Sequence, residues 1–333
     1  MTPRTEVRRA GPYAIAAVDP VGEPDPLPTI DEVADLAASL RGNVRKGVQL
    51  ADDVLSVLLA TVLAGGHLLV EDHPGVGKTQ LARTLARSLA TRFSRVQATV
   101  DLLPADIVGA NIWRPEIGDF EFQPGPVFAH VVLVDELNRA TPKTQSGLLE
   151  AMQEEQVTVD GESISLPSPF MVIATQNPSA GYDGTYSLPP AQLDRFLARV
   201  SLGYPTPEQE VAVLSGGALA VSPVTGPGEL RAAQLAVGGV HSSQPLLRYV
   251  VALLVATREH PLVEIGASPR AGLLLLAGAR AHAAIDGRDY VVPDDVQAMA
   301  PAVLRHRIQL MGPIAPGAPE NIVSDVLRQV PAR

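Results

Sequence analysis

Three observations predict an α/β fold with a parallel sheet, followed by a helical region. Short apolar runs that read as buried strands alternate with segments of helical period between His67 and Tyr204. A glycine-rich turn ending in Gly77-Lys78-Thr79 lies between the first of these runs and a helical segment. Beyond Tyr204 the chain is rich in Ala and Leu at helical spacing, and no buried-strand run recurs. Strands separated by helices fit a parallel sheet covered on both faces.

Composition narrows the function. With 333 residues, one large or two smaller domains are expected, and 46% hydrophobic against 19% charged residues supports a real core. The absence of cysteine excludes disulfides, thiolate metal sites and cysteine nucleophiles. A net charge of −10 opposes binding to a phosphate backbone, so no nucleic-acid partner is expected. No apolar run approaches the roughly 18 residues that cross a bilayer. The stretch MTPRTEVRRAGPYAIAAVDP lacks a hydrophobic region of signal-peptide length. The expectation is a cytoplasmic protein without stable membrane insertion. The seven histidines show no metal-site spacing.

Taken in order, residues 1–29 are rich in Pro and Gly, lack periodicity and read as a mobile tail. Val33, Leu36 and Leu40, then Val54, Leu55, Leu58 and Leu59, recur at helical spacing. They predict two helices between Ile30 and Leu63, broken near Gly42–Gly47. HLLVE (67–71) reads as a strand, TQLARTLARSLA (79–90) as a helix and FSRVQAT (93–99) as a strand. HVVLVDE (130–136) is apolar up to its acidic end, as a buried parallel strand is. KTQSGLLEAMQEEQV (143–157) reads as a helix, and PFMVIATQN (169–177) and LARVSLGY (197–204) as strands. Two insertions read as hairpins: NIWRPEIGDFEF (111–122) around Gly118-Asp119, and VTVDGESISL (157–166) turning at Asp160-Gly161. After YPTPEQE (204–210) the character changes, which places a domain boundary near Tyr204 and divides the chain into 1–29, 30–204 and 205–333.

The stretch EDHPGVGKT (71–79) carries the first chemistry. The chain has only three lysines, Lys46, Lys78 and Lys143, and one of them closes this turn. Between a strand and a helix, such a turn points backbone N–H groups at bound phosphates. Glycine serves where the backbone must approach a ligand or take positive φ. Pro74, Gly75, Val76, Gly77, Lys78, Thr79 and Gln80 are therefore candidate ATP-binding residues. Lys78 would supply charge to the β- and γ-phosphates, and the Thr79 hydroxyl would ligate Mg²⁺. The usual pattern begins with Gly, where this chain has Asp72. The competing reading is a glycine-rich turn with a chance Gly-Lys-Thr. A second site closes the strand VVLVDE: Asp135 would hold Mg²⁺ through water, and Glu136 would be the general base. Strand ends carry ligands in open α/β sheets, although a solvated acidic strand end is the alternative.

PGPVFAHVVLVDELNRATPKTQSGLLEAMQEEQVTVDG (124–161), ATQNP (174–178) and LPPAQLDRF (188–196) carry a longer likeness. With them the chain resembles the AAA+ ATPases, and within these the MoxR family, from about residue 30 to its end. The resemblance implies an AAA+ P-loop αβα sandwich with a parallel sheet, and a C-terminal all-helical lid domain. It makes the 112–122 hairpin a helix-2 insert and the 157–166 hairpin a pre-sensor hairpin. It also implies a ring, usually a hexamer, and a partner with a von Willebrand factor A-type domain. Asn177 resembles sensor 1, which orients the attacking water; an Asn before Pro178 is otherwise an ordinary turn former. Arg195 resembles the arginine finger, supplied in a ring by the neighbouring subunit. Its alternative is a surface arginine paired with Asp194 or another acid. Arg139 faces either the adjacent nucleotide or a structural salt bridge.

Arg270 stands in the first turn of a helix that Ser268 caps and Pro269 opens. A cation there opposes the helix dipole at a cost of about 0.3–1 kcal/mol. The resemblance makes it sensor 2, reaching nucleotide phosphates; a solvated arginine is the alternative. GRDYVVPDDV (287–296) opens another helix with Pro293, Asp294 and Asp295. Val292 stands where the family often has a hydroxyl residue, so a slightly weaker cap is expected. The function expected is Mg²⁺-dependent ATP hydrolysis that remodels a protein partner or matures a metal centre. A nucleotide-gated binding module and a magnesium-chelatase-like motor subunit are the alternatives. Glu136, Asn177 and Arg195 together favour hydrolysis over gating, and the acidic balance disfavours a nucleic-acid motor.

Overall fold

The computed structural model describes residues 26–332, apart from residues 74, 178–185, 205, 208–209, 212–220 and 313–316. Residues 1–25 of the expected tail lie outside the described residues. The first helices are α1 (Ile30–Gly47), closed by a Thr29/Glu32 capping box, and α2 (Asp52–Leu63). Next come β1 (Leu68–Glu71), α3 (Lys78–Ser88), β2 (Phe93–Gln97) and α4 (Pro104–Val108). The hairpin β3 (Gly109–Arg114) and β4 (Asp119–Pro124) leads to β5 (Val131–Asp135), a 3₁₀ turn at Leu137–Arg139 and α5 (Pro142–Glu154). The second hairpin, β6 (Gln156–Val159) and β7 (Glu162–Ser165), precedes β8 (Met171–Gln176), α6 (Pro190–Leu193) and β9 (Ala198–Val200). The C-terminal part holds α7 (Pro227–Gly238), α8 (Gln244–Glu259), β10 (Val263–Ile265) and α9 (Pro269–Ile285). It closes with α10 (Pro293–Leu304), β11 (Gln309–Leu310) and α11 (Ala318–Gln329).

The sheet has the order β2-β5-β8-β1-β9, and every pair is parallel. All five strands therefore end at one edge, at Glu71, Gln97, Asp135, Gln176 and Val200. Alternate strand residues enter two cores, as the period of two requires. Leu68, Val70, Leu133 and Ile173 join α1, α2, α3 and the C-terminal helices in one continuous core. Leu69, Val132, Val134, Val172 and Ala174 join α5, with Leu148 and Leu149, in the other. That double burial explains why the central strands read as unbroken apolar runs.

Both hairpins form where the Asp-Gly and Gly-Asp signals place them, with Asp160, Gly161 and Gly118 in left-handed backbone. Three details differ from the sequence reading. The break between α1 and α2 falls after Gly47 rather than across Gly42–Gly47, because α1 runs through Gly42 in open space. A side chain at Gly47 would overlap Thr84 on α3, so this glycine serves close helix packing. The five-residue α4 has no sequence precedent. The C-terminal part carries an antiparallel ribbon, β10 against β11, besides its helices. Its strands of three and two residues are too short to show a period.

Candidate nucleotide site

The phosphate loop leaves the sheet at Glu71. Gly75 and Gly77 have φ of +89° and +91°, backbone that L side chains rarely adopt. A Cβ on Gly75 would meet nothing within 4 Å, so backbone conformation rather than space demands glycine there. Val76 is buried and anchors the loop. Pro74 lies outside the described residues. Gly77 caps α3 without a side-chain hydrogen bond, and the first turn holds no acid. The N–H groups that open α3 are thus left for an anion.

Lys78 Nζ donates to the Asp72 carbonyl. Burial lowers the Lys78 pKa, while Asp72, Asp135, Glu136 and Glu71 pull it back up. Thr79 is half-buried in the same turn. The Gln80 side chain donates to the Gly47 carbonyl at 3.2 Å, tying α3 to the end of α1. Asp72 is buried, and its carboxylate accepts from the N–H groups of His73 (2.9 Å), Leu202 (2.6 Å) and Gly203 (2.9 Å) and from Ser201 Oγ (3.1 Å). The departure from glycine at this position is therefore a built feature.

The second acidic site stands on the same edge, two strands away. Asp135 is buried, accepts from Arg95 Nε at 2.7 Å and receives the Thr175 hydroxyl at 3.4 Å. Glu136 adopts left-handed backbone, φ +56° and ψ +47°, uncommon without glycine. Its N–H donates to Thr175 Oγ1 at 2.9 Å, so one hydroxyl positions both acids. The Glu136 carboxylate accepts from Gln97 Nε2 at 3.2 Å and Arg139 Nη1 at 3.0 Å. Arg139 thereby forms an ion pair within its own chain. Sequence reading missed Arg95, Gln97 and Thr175. The available signal was polar residues at alternating positions in FSRVQ, but only the register that sets Gln97 against Asp135 gives them meaning. Asn177 follows β8 directly; Gln176 pairs with Glu71 in the ladder, which puts Asn177 at the loop's edge of the sheet.

Arg195 and Arg270 lie elsewhere. Arg195 precedes β9, whose first residue pairs with Leu68 at the start of β1. The length of β1, about 13 Å of strand, separates that end from the phosphate loop. Asp194 does not pair with Arg195: it accepts from Arg307 Nε at 2.7 Å and from Ser268 Oγ at 3.2 Å. Ser268 also caps α9 by accepting from Ala271 N–H at 3.2 Å, and Pro269 opens that helix. This contact brings Arg270 beside Arg195. Burial, then the Arg270 charge, lower the Arg195 pKa, and Glu150 and Glu154 partly offset them. Among the described residues, neither arginine forms an ion pair. The structure thus gathers the loop, Asp135, Glu136 and Asn177 at one edge, and Arg195 with Arg270 at the other.

The donor set at the first edge fits a nucleoside triphosphate with a divalent cation: a positive-φ loop, an uncapped helix start, a lysine and a buried carboxylate. Comparison with known proteins agrees. Residues 67–198 match the model of the ATPase family associated with various cellular activities, and residues 255–327 match the AAA lid domain. The fold is that of an AAA ATPase. Chaperone MoxR1 of Mycobacterium tuberculosis is 41% identical over 84% of this chain and 78% of its own. Protein MoxR of Methylorubrum extorquens is 31% identical over 89% and 94%. YeaC of Bacillus subtilis is 46% identical over 78% and 82%. A candidate ATPase of Cytophaga hutchinsonii superposes with a TM-score of 0.82 at 35% identity, covering 91% of this chain and 97% of its own. The chain belongs to the MoxR family of AAA+ ATPases.

Proposed function

We propose that the protein hydrolyses ATP with Mg²⁺ and uses the reaction to remodel a protein partner. One observation carries this reading: the Lys78 loop and the Asp135-Glu136 pair share the C-terminal edge of one parallel sheet. Loop N–H groups and Lys78 bind the triphosphate, and the start of α3 faces its charge. Thr79 and Asp135 would hold Mg²⁺, which neutralises charge on the β- and γ-phosphates. Glu136 accepts a proton from the attacking water, which Asn177 orients. For that, Glu136 must turn from Gln97 and Arg139, so turnover without a partner is slow. This same sequestration favours a second reading, a nucleotide-gated binding module, in which Glu136 never engages.

Arg195 and Arg270 sit too far from their own loop to serve it. They act on the nucleotide of a neighbouring subunit through a head-to-tail contact, which closes into a ring taken here as a hexamer. The layout is a core over 30–204, with the 112–122 and 157–166 hairpins, and a lid over 205–333. The remodelling role is supported by the relative named as a chaperone, and a von Willebrand factor A-type partner by the family resemblance. Among the described residues, no helix is long and apolar enough to cross a membrane. The test is a pair of variants. Lys78→Ala weakens ATP binding about 10- to 100-fold in a fluorescent-nucleotide titration. Glu136→Gln binds ATP normally and loses about 10²- to 10⁴-fold in turnover. Wild-type turnover in Glu136→Gln would remove the general base from this account.

A further inference from the structure

Three consecutive residues at the mouth of the phosphate loop each hold β9 or the segment leaving it. Glu71 pairs with Arg199 at 2.7 Å. The buried Asp72 carboxylate accepts from Ser201, Leu202 and Gly203. His73 stacks on Tyr204, with ring centroids 6.0 Å apart and planes 15° from parallel. The contacts continue into the lid: Glu320 on α11 meets Arg199 at 3.5 Å and Arg305 at 3.2 Å, and Arg305 Nη2 donates to the Arg199 carbonyl at 2.6 Å. Lys78 closes the chain from the other side, on the carbonyl of the same Asp72.

We propose that Asp72 is a positioning residue that couples phosphate binding at Lys78 to the strand-to-lid segment at Ser201–Gly203; this rests on the nucleotide-binding reading above. A glycine, usual at the start of such a loop, offers nothing to grip with. A carboxylate with three of its four donors on residues 201–203 moves with them. Phosphates entering the loop compete for the Lys78 ammonium. The Asp72 carbonyl then loses its donor, and its carboxylate transmits the change to the Leu202 and Gly203 amides. Glu71 and His73 keep the flanking residues in register, and Arg199 carries the shift to Glu320. The coupling is energetic and two-ended, so the lid's position feeds back on the loop.

The test is amide hydrogen exchange at Leu202 and Gly203 in the full chain, without nucleotide and with Mg²⁺ and the slowly hydrolysed analogue adenylyl imidodiphosphate. The expected result is a nucleotide-dependent difference of about fivefold or more in wild type, lost in Asp72→Gly. The variant is expected to bind a fluorescent ATP analogue within about threefold of wild type while turning over about tenfold more slowly. Ser201→Ala, which leaves Asp72 in place, should shrink the exchange difference. Equal wild-type exchange at both amides with analogue demonstrably bound overturns the proposal, even if Asp72→Gly fails to fold. So does a difference that persists in a folded Asp72→Gly. If the wild type binds no nucleotide in the titration, the nucleotide-binding reading itself falls and takes this proposal with it.

Discussion

Glu136 shows how one residue's backbone is held for a purpose. Left-handed geometry costs a non-glycine residue on the order of 1–2 kcal/mol, and the Thr175 hydroxyl secures it by accepting the Glu136 N–H. Thr175→Val keeps the shape and removes both hydrogen bonds. Turnover should then fall about tenfold with nucleotide affinity within about threefold, as steady-state kinetics would show; unchanged turnover would separate Thr175 from catalysis. His67 is a second residue with a readable consequence. Its Nδ1 accepts the Val172 N–H, so Nε2 carries the proton and donates to the Met152 carbonyl. Burial pushes its pKa down to about 4 from 6.5. The folded value lies below the unfolded one, so the stabilisation is complete above pH 6.5 and is lost as pH falls towards 4. The loss is on the order of 3 kcal/mol. Urea unfolding at pH 7 and pH 4.5 checks it: His67→Gln should lose less stability between the two than wild type. Lys78, Thr79, Asp135 and Glu136 were legible in the sequence because each ends or follows a recognisable strand. Arg95, Gln97 and Thr175 were not, because register alone brings them to those acids.

Secondary-structure elements were legible where burial imposed a pattern on them. β1, β5 and β8 are buried on both faces and read as apolar runs. The hairpins announced themselves through turn residues. The ribbon β10–β11 and the short α4 gave no pattern because too few residues share a face. The junction of α9 and α10 illustrates a connection that no periodicity shows. Asp295 is fully buried and takes both nitrogens of the Arg288 fork at 2.7 Å, His282 Nδ1 at 2.7 Å and the Val292 N–H at 2.8 Å. Its bond to Val292 closes the start of α10 from the far side of the cap, where Val292 offers no hydroxyl. Burial raises the Asp295 pKa, but the Arg288, His282 and Val292 hydrogen bonds outweigh it and hold it at about 2, below 3.8. The stabilisation is therefore present above pH 4 and lost as pH falls through 2. Asp295→Asn should cost about 3 kcal/mol at pH 7 in denaturant unfolding, with the gap to wild type closing below pH 3. A neutral substitution would show that the helix junction stands without this ion pair.

The whole molecule places its two groups of candidate site residues at opposite edges of one sheet. The phosphate loop and both acids stand where the strands end. Arg195 and Arg270 stand where β9 begins, joined through Asp194 and Ser268. A continuous core from α1 to the C-terminal helices lies between these edges. We propose that two subunits share each site. Its most direct test mixes Arg195→Ala with Glu136→Gln, each almost inactive alone, and measures ATP turnover against the mixing ratio. An equal mixture should recover about a quarter of wild-type turnover, since that fraction of interfaces joins an intact Glu136 to an intact Arg195. No recovery at any ratio, with mixed assemblies demonstrated, would contradict the shared site and leave a switch that works within one chain.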